Sequence, residues 1–238
     1  MSDWDRASVP PEWPTVSSQV LSRARERALQ AIHGTDKASA AERLSVFYDV
    51  STNYAGATFA GLTPNELGDI TSTDLHATSL LSVEVGPQAT RRLLTSGTAR
   101  DQTLRALRAV PDVELELANA ETFLAMESLY STVKAALSSS SSKSSNPWVT
   151  TSKLCARKRP ALFPVRDRNV CGLLGILGLS DFRADWAVFQ YLVQDPDVVA
   201  AIDELPGLVA LAGAGRPVEL DRQRLRLLDA ALWTCTVW

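Results

Sequence analysis

Apolar residues recur at every third or fourth position through most of this chain, a period that commits it to helices packed on helices. Val16, Val20, Ala24, Ala28 and Ile32 form one such stripe, with Arg23, Arg25, Glu26 and Arg27 largely outside it and Gly34 ending it. A second helix is predicted over residues 38–48. Asn53, Gly56, Gly61 and Pro64 then break the period, and a loop is expected there. Ser72, Thr73 and Asp74 offer N-cap oxygens to a helix through Leu80 and Leu81. Gly86-Pro87 opens the next, because a proline in the first turn gives up no hydrogen bond. Thr98 begins another, closed by Pro111. A longer segment over about residues 116–137 puts Phe123, Met126, Leu129, Tyr130 and Val133 on one side as core. Ser82-Val83-Glu84-Val85 alternates but is too short to build a sheet, so the expected fold class is all-α.

At 238 residues and 45% hydrophobic content the chain can bury a full core. Residues 1–14 carry Pro10, Pro11 and Pro14 with Trp4 and Trp13, a tail too proline-rich for a helix but able to pack its aromatics on a neighbouring surface. Residues 138–145 are seven serines around Lys143, a flexible segment that reads as a linker or as a loop closing on a ligand. It divides the chain into an N-terminal helical lobe over 15–137 and a C-terminal one over 146–238. In the latter, Ser180 is expected to cap one helix and Pro196 to start the next. Leu205-Pro206-Gly207 and Gly213-Ala214-Gly215 read as loose segments, and a last helix over about 220–236 puts Leu225, Leu228, Leu232 and Cys235 on its buried side.

The net charge of −3 argues against coating nucleic acid by bulk charge. No apolar run approaches the roughly eighteen residues of a membrane span, so a cytoplasmic location without a membrane partner is expected. Cys155, Cys171 and Cys235 lack the C-x-x-C spacing and read as reduced thiols, so no metal is expected. His33 and His76 stand alone, as structural or surface residues. No dinucleotide or Walker fingerprint follows a strand, and no cofactor is expected.

The exception to the acidic balance is the window over residues 151–170. Lys153, Arg157, Lys158, Arg159, Arg166 and Arg168 stand there against the single acid Asp167. Asn146-Pro147-Trp148 reads as the start of a helix reaching Arg159, with Lys153 and Arg157 on one stripe and Leu154 and Cys155 toward the core. Pro160 stops that helix, Pro164 stiffens the return, and Asp167 precedes the periodic run Val170, Leu173, Leu174 and Leu177, where it caps a new helix. The six cations read either as a solvated basic face or as phosphate contacts. Asp167 reads either as a cap alone or as a cap that also faces a substrate.

Ser152-Lys153-Leu154, Arg159-Pro160, then Phe163-Pro164-Val165, Asp167 and Val170 resemble the segment of helix-hairpin-helix DNA glycosylases, of the 8-oxoguanine-glycosylase-like kind, that leads into the catalytic aspartate. The resemblance spans residues 146–175; the chain as a whole resembles an uncharacterised actinobacterial family carrying a domain of unknown function. The resemblance implies two all-α lobes with a cleft between them and DNA as the partner. It implies Asp167 as the catalytic carboxylate, the six cations on the nucleic-acid backbone, and a flipped base stacked on aromatics, for which Trp148, Phe163, Trp186 and Tyr191 are the candidates. The hairpin glycines of such enzymes are missing from Pro147-Trp148-Val149-Thr150-Thr151, and the nucleophilic lysine of the bifunctional members falls near Thr150 or Thr151. Lys153 is too close to Asp167 to replace it. The expected activity is therefore monofunctional hydrolysis of an N-glycosidic bond, the alternative being a non-catalytic helical module that binds nucleic acid or protein.

Overall fold

The structure, a computed structural model, describes residues 8–34, 38–138 and 146–238. It is all-helical, with twelve α-helices and no β-strand among the described residues, and a single antiparallel bridge joins Asp49 to Val218. The first helices are α1 (Ser18–His33), α2 (Ala40–Phe47), α3 (Gly56–Gly61) and α4 (Ser72–Ser79). They are followed by α5 (Pro87–Leu94), α6 (Thr98–Ala109), α7 (Ala120–Leu137) and α8 (Trp148–Lys158). The chain ends with α9 (Arg168–Leu174), α10 (Phe182–Gln194), α11 (Pro196–Ala212) and α12 (Arg224–Val237). No described helix is long and apolar enough to cross a membrane.

The caps explain most boundaries. Ser17 caps α1, and Gly34 ends it with a positive φ of 106° that side chains rarely adopt. Thr71, rather than Ser72, caps α4: its hydroxyl accepts from the Asp74 amide while the Asp74 carboxylate accepts from the Thr71 amide, a reciprocal box that moves the start by one residue. In the same way Asp181, not Ser180, caps α10 by accepting from the Arg183 amide at 2.9 Å. No side chain caps α8: Asn146, whose type and place before Pro147 predict an N-cap, makes no capping bond, and Pro147 holds the cap position.

Two segments read as irregular are helical. The first is α3, whose Gly56, Ala57 and Phe59 are buried. A Cβ on Gly56 would stand 2.6 Å from the Phe47 carbonyl oxygen and 2.7 Å from its ring, so glycine is what lets α3 close on α2. Gly56→Ala is expected to destabilise the protein by about 1–3 kcal/mol in thermal melts. The second is Leu205-Pro206-Gly207, which lies inside α11. Val198, Ala201, Ile202, Leu205 and Val209 form a buried stripe there, while Pro206 and Gly207 face solvent, so the proline lies outside the packed face.

The packing does not divide at the serine-rich segment. Helices α1 and α2 lie against α11 and α12, and α1 also touches α9 and α10. The intervening helices form the other group, with α7 on α5, α6 and α8, and α4 on α8 and α3. The first two helices thus belong with the last four, and one continuous apolar core runs through both groups. Trp13, from the proline-rich tail, is part of it, with its ring centroid 5.1 Å from Phe123 and 5.9 Å from Trp186. Trp4 and the serines and lysine at 139–145 lie outside the described residues.

Candidate functional site

The return between α8 and α9 is held from two sides. From α8, the Ser152 hydroxyl donates to the Pro164 carbonyl at 2.9 Å and accepts from the Arg166 amide at 2.9 Å. From α12, Arg226 donates to the carbonyls of Pro160 and Phe163, and Asp229 accepts from the Val165 amide at 2.9 Å. Five polar groups of one short turn are therefore fixed by three side chains, and the residue that follows is aimed by them.

That residue is Asp167. As predicted, it caps α9, its Oδ1 accepting from the Val170 amide at 2.9 Å. This is its only side-chain hydrogen bond among the described residues, so Oδ2 carries none. Asp167 also lines a cavity of about 340 Å³ bounded by α2, α3, α8 and α12 and by the stretch after α4, where the two groups of helices meet. Phe47, Tyr54, Phe59 and Trp233 supply its apolar walls.

Lys153 lines the same cavity and donates to the Leu81 carbonyl at 2.6 Å. Burial pushes its ammonium below the usual lysine range, with the negative charge of Asp167 opposing the shift. The other ionisable groups on the cavity come from the residues after α2 and from α12 and the residues before it, and the sequence pattern singles out none of them as a site. The Tyr48 hydroxyl donates to Asp221 at 3.1 Å, and burial raises the pKa of both. Asp229 pairs with Arg226 three residues before it. Burial pushes Asp229 up to about 7 against the pull of Arg226, and its Oδ1 is buried without a partner among the described residues. The signal for this pair was an arginine and an aspartate three apart within the otherwise apolar run from Leu225 to Leu232, a spacing that shares one helix face.

Asp229 makes a stability prediction with a definite sign. Its value of about 7 lies above the ordinary 3.8, so the folded chain holds the proton more tightly than the unfolded one. That stabilisation is complete below the ordinary carboxylate range and is lost as pH rises through about 7. The urea midpoint of the native protein should therefore fall relative to that of Asp229→Asn between acidic and neutral pH. Parallel curves for the two proteins would remove the assignment.

The basic window is not the solvated face, or the row of phosphate contacts, that its composition suggested. Lys153, Arg157, Lys158, Arg159 and Arg166 are all buried, and only Arg168 is exposed. Arg157 donates to the carbonyls of Phe59, Ala60 and Leu62 and to Asp74, and Lys158 donates to Asp74 and Asn65. Arg159 spans the carbonyls of Leu67, Leu107 and Val110. These cations bind loop carbonyls, helix ends and a buried carboxylate, which is why a dense run of charge lies inside. Arg166 pairs with Asp185 and donates to the Tyr130 hydroxyl at 3.3 Å.

None of the four aromatic candidates lines the Asp167 cavity. Phe163 and Trp186 are core residues packed edge to face on each other at 5.4 Å. Trp148 is half-buried with the Arg166 guanidinium 5.2 Å from its ring centre, and Tyr191 is half-buried on α10. Cys155 and Cys171 are buried free thiols, with Cys171 pushed up to about 12 by burial, so neither is a ready nucleophile.

Fold and site together define an all-helical protein with an aspartate-bearing cavity between two groups of helices. The chain belongs to a family of unknown function, DUF6308, whose model matches residues 40–236. No curated protein and no solved structure matches it.

Proposed function

We propose that the protein hydrolyses an N-glycosidic bond, with the nucleoside unit, extruded from a nucleic acid, held in the Asp167 cavity. The observation that carries this reading is Asp167 itself. It is fixed by its cap to α9, keeps one carboxylate oxygen unbonded among the described residues, and lines a cavity with aromatic walls. The segment around it resembles the catalytic segment of helix-hairpin-helix glycosylases, and a cavity between two helical groups agrees with the architecture that resemblance implies.

In this reading the C1′–N bond breaks as the base leaves with the bonding electrons, and Asp167 stabilises the positive charge that develops on the sugar. Water adds to C1′, giving its proton to Asp167 as the C–O bond forms. The departing base nitrogen takes up a proton, for which Asp229 on the same cavity is suited, because at its value of about 7 it still carries one near neutrality. Turnover should therefore decline as pH rises above neutrality.

The test is incubation with single- and double-stranded oligonucleotides carrying alkylated, oxidised and deaminated bases, with released base measured by mass spectrometry. Free base and an abasic site without strand cleavage are expected. No release from any substrate would sink the reading. A second reading, a non-catalytic helical binding module, draws support from the burial of five of the six window cations, which removes them from phosphate contact. It predicts no base release and a binding constant nearly independent of salt, whereas phosphate contacts weaken steeply as salt rises.

A further inference from the structure

The backbone entering α9 is extended, with φ −140° and ψ 178° at Asp167, and extended residues send alternate side chains to opposite sides. Val165 and Asp167 line the cavity described above, and Arg166 and Arg168 line another. This second cavity holds about 250 Å³, and its walls include Tyr130, Lys134, Trp148, Phe182 and Asp185. Nothing in the proposed hydrolysis uses it.

Its chemistry is specific. Three cations, Lys134, Arg166 and Arg168, face one acid, Asp185. The buried Arg166 guanidinium lies 5.2 Å from the Trp148 ring centre and 5.9 Å from that of Tyr130, and it donates from both Nε and Nη2 to the same oxygen, Asp185 Oδ2. Asp185 Oδ1 is left buried and without a partner among the described residues. Lys134 and Arg168 have no acidic partner among those residues either. The cavity thus offers an acceptor that needs an N–H donor, aromatic side chains for a planar group, and two cations that can meet an anion.

We propose that this cavity binds a nucleoside monophosphate unit, with the base against Trp148 and Phe182, a base N–H donated to Asp185 Oδ1, and the phosphate held by Lys134 and Arg168. Guanine suits the acceptor best, since its ring N–H and amino group lie side by side and one carboxylate oxygen has two lone pairs.

The probe is GMP, titrated calorimetrically into the full chain beside guanosine, inorganic phosphate and a short oligonucleotide with a 5′-phosphorylated terminal guanine. GMP should bind about tenfold or more tighter than guanosine or inorganic phosphate, because each of these lacks half of the contacts. Arg168→Glu and Lys134→Glu, at an exposed and a half-buried position, should each weaken GMP about tenfold or more without shifting the melt. Tighter binding of the oligonucleotide would assign the site to a strand end, and tighter binding of GMP to the free nucleotide. No heat with GMP or the oligonucleotide at millimolar concentration, or binding unchanged in both variants, overturns the proposal. The readout is binding without turnover, so its failure and the failure of base release are separate results.

Discussion

Asp167→Asn is expected to lower base release by about two to three orders of magnitude while leaving the protein folded. The two effects separate because the residue has two roles on different oxygens. Oδ1 accepts from the Val170 amide, and asparagine caps a helix about as well as aspartate, so the melt should stay within about 1 kcal/mol of the parent. Among the described residues Oδ2 has no hydrogen bond, and it is there that an amide cannot replace a negative charge facing a cationic sugar. Single-turnover rates and thermal melts on the same preparation measure both. A variant that keeps full activity reduces Asp167 to a cap, and the hydrolase reading falls with it.

The largest stability effect is expected at Asp74, which lines neither cavity. Asp74 is fully buried, receives Lys158 at 2.9 Å and Arg157 at 3.3 Å, and accepts from the Thr71 amide at 2.9 Å. Asp74→Ala leaves two buried cations facing each other without a counter-charge and removes the capping box of α4, at a cost of about 3–5 kcal/mol. A chain of this size should melt roughly 10 °C lower. The comparison is Asp203→Ala, which breaks an ion pair with Arg224 in which both partners are exposed and should cost less than about 1 kcal/mol. If the two variants melt alike, the buried cluster contributes nothing beyond a surface pair.

The helical class was legible because it rests on local rules. The period of Phe123, Met126, Leu129, Tyr130 and Val133 and the cap at Asp167 can each be read within a few residues, and both are found in place. The fate of the basic window was not legible. Whether Arg157 meets a phosphate or a carbonyl depends on where Phe59, Ala60 and Leu62 lie, and their carbonyls come from a segment almost a hundred residues away, with separations of 95 to 98. Charge density in a sequence is silent on this, because a guanidinium satisfied by three carbonyls looks the same in the chain as one in water. The cavity was half legible. Asp167 and Lys153 are both on it, but Tyr48 reaches it from far earlier in the chain and Asp221 and Asp229 from far later.

The grouping of the first two helices with the last four has a consequence for how the chain is made. Arg25 meets Asp195 and Arg43 meets Thr234 across separations of 170 and 191 residues, so α1 and α2 leave the ribosome long before the surfaces they cover have been translated. Until α9 to α12 follow, the stripe from Leu21 to Ile32 lacks the helices it packs on, and a nascent chain of this topology depends on holding that stripe out of wrong company. Of the described helices α12 is translated after all the others, and it closes both the core and the Asp167 cavity.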